Sequence, residues 1–73
     1  MNIGMLWLDT DRKRSLDEKV QRAAEYYQDK YGRLPDLCFV NSKLIDEAIK
    51  VGRVQVEAAK TVLPDHFWLG MAT

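Results

Sequence analysis

The chain has 73 residues, of which 47% are hydrophobic, and its 11 basic residues are balanced by 11 acidic ones. A chain of this length forms one domain that buries only about 60 to 65% of the surface its unfolded state exposes, so its margin of stability is small. The absence of net charge excludes a general attraction to nucleic acid or to an anionic membrane, and any anion binding has to be local.

The cysteine content and the first residues bear on the cellular compartment. Cys38 is the single cysteine, which excludes an internal disulfide, the usual stabilising link of small secreted domains. Residues 1–3 lack the basic character of a signal peptide, and no apolar stretch approaches the roughly 20 residues needed to cross a bilayer. We therefore expect a soluble, cytoplasmic protein that makes no contact with a membrane.

The first half of the chain predicts a strand followed by a helix. Residues 3–8 form an apolar run of the kind found in buried strands. Ser15 and Glu18 form a capping box, and apolar residues then recur at three- and four-residue steps, which predicts an amphipathic helix over residues 15–31. Gly32 can adopt the left-handed conformation that ends a helix.

A second apolar run, at residues 37–40, predicts the next strand. Two apolar strands joined by a helix normally run parallel, with a right-handed crossover, in a sheet that is buried against helices. This arrangement predicts the fold far better than it predicts an activity.

The following segment predicts a second, shorter helix. Asn41 or Ser42 can cap it, Lys50 lies near its negative end and Gly52 can stop it, so we expect about two turns. The apolar face of this helix consists of Leu44, Ile45, Ala48 and Ile49.

The last part of the chain predicts two more strands. Residues 53–58 alternate with period two, which is typical of a strand with one buried face. Pro64 and Asp65 can turn the chain into residues 66–71, the last strand, which we expect to pair antiparallel with the third. The predicted fold class is α/β, a single domain over residues 1–73 with the order β-α-β-α-β-β and a four-stranded mixed sheet that has parallel first strands and a C-terminal antiparallel hairpin.

The predicted strands hold more apolar surface than the predicted helices can cover. Because monomers rarely expose an apolar patch beyond a few hundred Å², we expect this surface to bind a second copy of the chain or another protein. The alternative is that loops and the tryptophan rings themselves cover the remaining apolar surface of the sheet. Aromatic side chains supply most of the energy of such interfaces, so the expected interface residues are Trp7, Phe67 and Trp68.

An Asp-x-Asp sequence directly after the first strand is the sharpest chemical candidate. Asp9 and Asp11 follow the end of a strand, where open α/β sheets bind ligands, and together they can share a Mg²⁺ ion. The motif resembles the first motif of the haloacid dehalogenase-like phosphatases, in which the first Asp is the nucleophile and the second an acid/base. The resemblance covers only this motif, and the chain lacks the family's other elements, so the activity is not carried over. The alternative is that the two acids only end the strand and solvate a loop.

Three adjacent cations, Arg12, Lys13 and Arg14, come next. Placed before a helix N-terminus, they can hold a phosphate, although a charge run in a loop can equally be just solvated. The alternative function is therefore metal-dependent phosphate-ligand binding or phosphoryl transfer, with Asp9 and Asp11 on the cation. Nucleic-acid binding through the same basic turn is the weaker option.

No residue predicts a catalytic centre, and no cofactor is expected apart from the Mg²⁺ of the alternative. Cys38 lies in a predicted buried strand, where a thiol behaves as a small hydrophobe. His66 is the single histidine, and one histidine with one cysteine cannot make a zinc site within one chain. The chain has no hydrolytic triad, phosphate-binding glycine loop or dinucleotide fingerprint.

One resemblance extends over most of the chain. It rests on residues 24–27, 30–32, 35–40 and 62–70, which together look like small stand-alone bacterial proteins of unknown function. The resemblance implies a single complete domain and supplies no functional residues. The function that we predict is that of a small cytoplasmic interaction or accessory module, which acts by protein binding and self-associates as a homodimer.

Overall fold

A computed structural model describes residues 4–72, in which one helix and five strands form a small α/β fold. The start of the predicted first strand, residue 3, lies outside the described residues. All five strands belong to one mixed sheet with the order β1-β5-β2-β4-β3. Within this part of the chain, no helix could span a lipid bilayer. The elements are β1 (Gly4–Leu8), α1 (Leu16–Tyr31), β2 (Leu37–Asn41), β3 (Ile49–Val51), β4 (Val54–Ala59) and β5 (His66–Gly70).

Helix α1 begins and ends where the sequence predicts. Ser15 is in an extended conformation, and its Oγ accepts a hydrogen bond from the Glu18 N–H at 3.2 Å, which satisfies one of the free donors of the first turn. At the other end Gly32 has a φ of 80°, and its N–H donates to the Gln28 carbonyl at 2.8 Å. The predicted Ser15 cap and the glycine stop are both confirmed, while the Glu18 Oε1 accepts from the Ser15 Oγ at 3.4 Å and not from the Ser15 N–H, as a full capping box would require.

Helix α1 covers one face of the sheet. Its buried residues are Val20, Ala23, Ala24 and Tyr27, and they share one core with alternate residues of the strands. Because side chains alternate along a strand, the residues between these point to the opposite face, over which no helix lies among residues 4–72. The strand residues of the core are Met5, Cys38, Val40, Val51, Val54, Val56, Phe67 and Leu69.

The predicted second helix is wrong. Residues 42–48 form turns and bends, and Ile49–Val51 is the short strand β3, which pairs antiparallel with β4. Val51 lies opposite Val54, so Gly52 and Arg53 form a two-residue hairpin turn. Gly52 has a φ of 60° and Arg53 does not have a positive φ, which matches a type II′ turn. Gly52, which we interpreted as a helix stop, is the first residue of this turn. The sequence signal of the hairpin is the pair of residues, Gly52 and Arg53, that separates two valines.

The predicted pairing of the last strand is also wrong, and the sheet has five strands instead of four. β5 lies between β1 and β2 and is antiparallel to both, while β4 pairs in parallel with β2. β1 and β2 therefore run in the same direction, as predicted, but they are not neighbours. No C-terminal hairpin forms, because β2 separates β4 from β5.

The connection from β4 to β5 explains this order, since it has to pass the end of β2. Asn41, the last residue of β2, donates from its side-chain Nδ2 to the Val62 carbonyl at 2.9 Å and so holds the connection in place. The turn predicted at Pro64 and Asp65 is present: the His66 N–H donates to the Leu63 carbonyl at 3.2 Å. The chain thus reverses past β2 and enters the sheet on its far side.

Candidate interaction surface

The face of the sheet opposite α1 carries a row of apolar side chains. Trp68 lies opposite Leu6 on β1 and opposite Phe39 on β2, which places the three side by side. Leu6 is 58% exposed, and Leu8, two residues further along β1 and on the same face, is 56% exposed. We call this surface, together with Leu63, the open face.

A groove with a volume of about 590 Å³ runs along the open face. Leu6, Phe39 and Trp68 line it on the sheet, and the connection from β4 to β5 forms its wall. Leu63 in that wall is 65% exposed. His66 and Thr61 supply the polar side chains of the groove. The His66 Nδ1 lies 2.8 Å from the Pro64 carbonyl oxygen, so in the neutral ring Nδ1 carries the proton and donates. The other side chains that line the groove are apolar.

The structure places the three expected interface residues in three different surroundings. Trp68 lies on the open face. Trp7 points to the opposite face, where its ring stacks on Tyr26 with the centroids 4.3 Å apart. Phe67 is only 1% exposed and belongs to the core under α1. The three aromatic residues therefore do not form one surface.

Asp9, Asp11 and Arg14 are brought together, as the alternative function requires, but they contact one another. Asp9 is 7% exposed, and its Oδ1 accepts from the Asp11 N–H at 3.0 Å and lies 3.4 Å from Arg14 Nη1. The same Nη1 lies 3.0 Å from Asp11 Oδ2. One guanidinium thus pairs with both carboxylates.

The remaining cations of the basic run separate from Arg14. Arg12 and Lys13 are exposed, and Lys13 uses its backbone N–H to donate to Asp11 Oδ1 at 2.8 Å. Arg14 instead borders a cleft of about 330 Å³ together with Lys19 and Lys43. Among residues 4–72, no group of three or more His, Cys, Asp or Glu side chains could hold a metal ion.

Cys38 is fully buried in β2, as predicted for a thiol between apolar neighbours. Burial raises the pKa of its thiol from 9.0 to about 12, because the charged form would lose its hydration. The thiolate is the reactive form of cysteine, so this residue is not a nucleophile at neutral pH.

The sequence analysis missed the leucines of the open face. Their signal is the period of two along β1, which puts Leu6 and Leu8 on one side and Trp7 on the other. Deciding which side α1 covers requires the register of β1 with β5, and the sequence does not show it.

Comparisons with models of protein families, with curated proteins and with solved structures give no match.

Proposed function

We propose that this protein is a small interaction module that acts by protein binding through the open face, and that it also self-associates. The observation that carries the proposal is the row formed by Leu6, Trp68 and Phe39. No helix within residues 4–72 lies over this row, and Leu8 lies beside it.

The size of the hydrophobic effect supports this role. Burial of one fully exposed leucine side chain contributes about 1.5 to 3 kcal/mol. Three leucines of the open face, at positions 6, 8 and 63, are more than half exposed. Burial of such side chains by a bound protein, whether a second copy or another chain, supplies several kcal/mol to offset the loss of translational and rotational freedom on association.

The alternative function, a metal-dependent phosphate site, has less support from the geometry. A Mg²⁺ ion shared by Asp9 and Asp11 would have to displace Arg14, whose Nη1 lies between their oxygens. Arg12 and Lys13, which were expected to assist on the anion, lie exposed and apart from the cleft that Arg14 borders.

Sedimentation equilibrium at low micromolar concentration tests the proposal. We expect a mass of twice 8.5 kDa, and a value of 8.5 kDa at every concentration would overturn self-association. The double variant Leu8→Lys/Leu63→Lys places charge on the open face at two exposed positions and is expected to be monomeric. The matched control is Leu44→Lys, which is similarly exposed but lies outside the open face, and it is expected to sediment as the wild type does.

A further inference from the structure

The hydrogen-bonding groups of β1 can be assigned to its two sides. The Asp9 N–H donates to the Asp65 carbonyl at 3.0 Å, and this pair continues the register of β1 with β5. In an antiparallel ladder, residues that exchange hydrogen bonds with the partner strand alternate with residues that do not. Met5 and Trp7 therefore direct their backbone N–H and C=O groups to β5.

The other residues of β1 direct their backbone groups away from the sheet. These are Gly4, Leu6 and Leu8, and no strand among residues 4–72 pairs with them on that side. The neighbouring ladder agrees with the assignment, because the Gly70 carbonyl of β5 accepts from the Asp36 N–H at 3.1 Å and so points to β2. The outer edge of β1 thus offers N–H and C=O groups to another strand.

The two edges of the sheet differ in how well they are protected. β3 is only three residues long and carries a charge at Lys50, and both features discourage the addition of a strand. β1 is five residues long and has no charged residue and no proline. An uncharged apolar edge of this length is a template for pairing with another chain.

We infer that a second copy of this chain pairs with β1, edge to edge and antiparallel, about a two-fold axis at Leu6. The inference rests on the proposed self-association and names its geometry. In this register Leu6 lies opposite Leu6 of the second copy, and Leu8 lies opposite Gly4. All of these residues direct their backbone groups outward, so each pair exchanges hydrogen bonds in both directions.

The side chains of β1 are self-complementary in this register. The Trp68 ring lies over Gly4, with its Cζ2 2.5 Å from the place where a Cβ would be, so Leu8 of the second copy meets an indole ring there. On the face that α1 covers, Trp7 of one copy lies opposite Met5 of the second copy. Trp7 also stacks on Tyr26 of its own chain, whose side chain is half exposed. Since β1 carries no charge, two copies meet without repulsion.

The symmetry decides what the dimer presents. The two-fold axis of an antiparallel strand pair is perpendicular to the sheet, so both copies of α1 lie on one side and both open faces on the other. Two five-stranded sheets then form one sheet of ten strands. The grooves beside Trp68 and Leu63 remain open on the same surface, where a further protein can bind.

Two lysine variants distinguish edge pairing from packing of the open faces against each other. Leu6→Lys puts two like charges opposite each other at the axis, and we expect it to weaken the dimer by at least about tenfold. Leu63 is as exposed as Leu6 but lies in the groove wall, so we expect Leu63→Lys to leave the dissociation constant of the dimer unchanged. If Leu63→Lys dissociates the dimer, whether or not Leu6→Lys does so too, edge pairing is wrong while self-association stands. A wild type that is monomeric overturns both.

Amide hydrogen exchange on the wild-type protein tests the same geometry without a substitution. The N–H groups of Leu6 and Leu8 face solvent in the protomer, and they become protected as the protein concentration rises if β1 pairs with β1. The Trp7 amide is directed to β5 and the Asp9 amide donates to the Asp65 carbonyl, so both serve as internal controls that we expect to be protected at every concentration. Rapid exchange of Leu6 and Leu8 in a sample that sediments as a dimer would contradict the pairing.

Discussion

The indole ring of Trp68 occupies the space that a side chain on Gly4 would need. An ideal Cβ at Gly4 would lie 2.5 Å from Trp68 Cζ2, 2.6 Å from Trp68 Cε2 and 3.1 Å from the Leu69 carbonyl oxygen. Contacts this short do not occur between unstrained atoms, so either the ring or strand β1 has to move. Glycine at this position is therefore required by a close approach of the ring.

We predict that Gly4→Ala lowers the free energy of unfolding by about 1 to 3 kcal/mol, as overpacking typically does. Urea denaturation of the two proteins measures the difference. The control is the same substitution in a Trp68→Leu background, where the smaller side chain leaves room and Gly4→Ala should cost less. Equal losses in both backgrounds would show that the ring does not cause the effect.

The backbone of Asp65 is in the left-handed region, with a φ of 65°, at the turn that leads into β5. Residues with a Cβ are strained there, and glycine is not. We predict that Asp65→Gly raises the free energy of unfolding by up to about 1 kcal/mol, and that Asp65→Ala lowers it by about the same amount. Thermal and urea unfolding should rank the three proteins as Gly, Asp, Ala, and any other order contradicts the strain.

The buried thiol of Cys38 makes stability depend on alkaline pH. Its pKa is raised to about 12 in the folded protein from an ordinary value of 9.0, so between these values the unfolded chain ionises while the folded protein keeps its proton. The unfolded state then binds fewer protons, and the free energy of unfolding falls as the pH rises. The contribution is fully present below pH 9.0 and is lost progressively towards pH 12.

Urea unfolding on either side of pH 9.0 measures this effect. The variant Cys38→Ala lacks the thiol and is expected to lose less stability over the same interval, although it is less stable at neutral pH because it leaves a cavity. A thiol reagent should label the wild type only in denaturant. Fast labelling of the folded protein would contradict the burial of Cys38.

The carboxylate of Asp9 holds the loop that follows β1. Asp9→Ala leaves the Asp11 N–H without its acceptor and removes one carboxylate from Arg14, so we predict a loss of about 1 to 3 kcal/mol. Asp9→Asn keeps an oxygen acceptor for the Asp11 N–H and should lose less. Equal losses in the two variants would show that this hydrogen bond contributes nothing.

Titration with Mg²⁺ tests the alternative function at the same place. Because Arg14 already pairs with Asp9 and Asp11, we expect the amide shifts of these two residues to stay unchanged in the wild type. Saturable shifts at Asp9 and Asp11 would establish a metal site there and would restore the phosphate-ligand hypothesis.

The features that the sequence predicts well are those determined by neighbouring residues. Ser15 and Gly32 cap α1 through bonds that span three or four residues, and Pro64 with Asp65 makes its turn locally. The order of the strands depends instead on contacts between distant residues, such as the bond from Asn41 to Val62, and no local pattern records them. The hairpin at Gly52 was missed because the same glycine can also end a helix.

The apolar imbalance of the sheet could be predicted, but its location could not. Apolar strands with too few helices implied an uncovered face, and in the described part of the chain no helix lies over the face that carries Leu6 and Trp68. Trp7 and Phe67 are sequence neighbours of Leu6 and Trp68, and a step of one residue along a strand moves a side chain to the other face. Only the position of α1 decides which of two adjacent residues is covered, and that position is a property of the whole fold.

The place of β5 in the sheet has a consequence for synthesis on the ribosome. β1 is made before the other strands, and within residues 4–72 it joins them only through β5, so its pairing waits until residues 66–70 have left the exit tunnel. Until then β1, which has no charged side chain, can pair with another exposed strand, including one from a neighbouring nascent chain. A nascent chain that lacks β5 therefore carries β1 as an unpaired strand, and we expect neighbouring nascent chains on one polysome to be prone to associate through this segment.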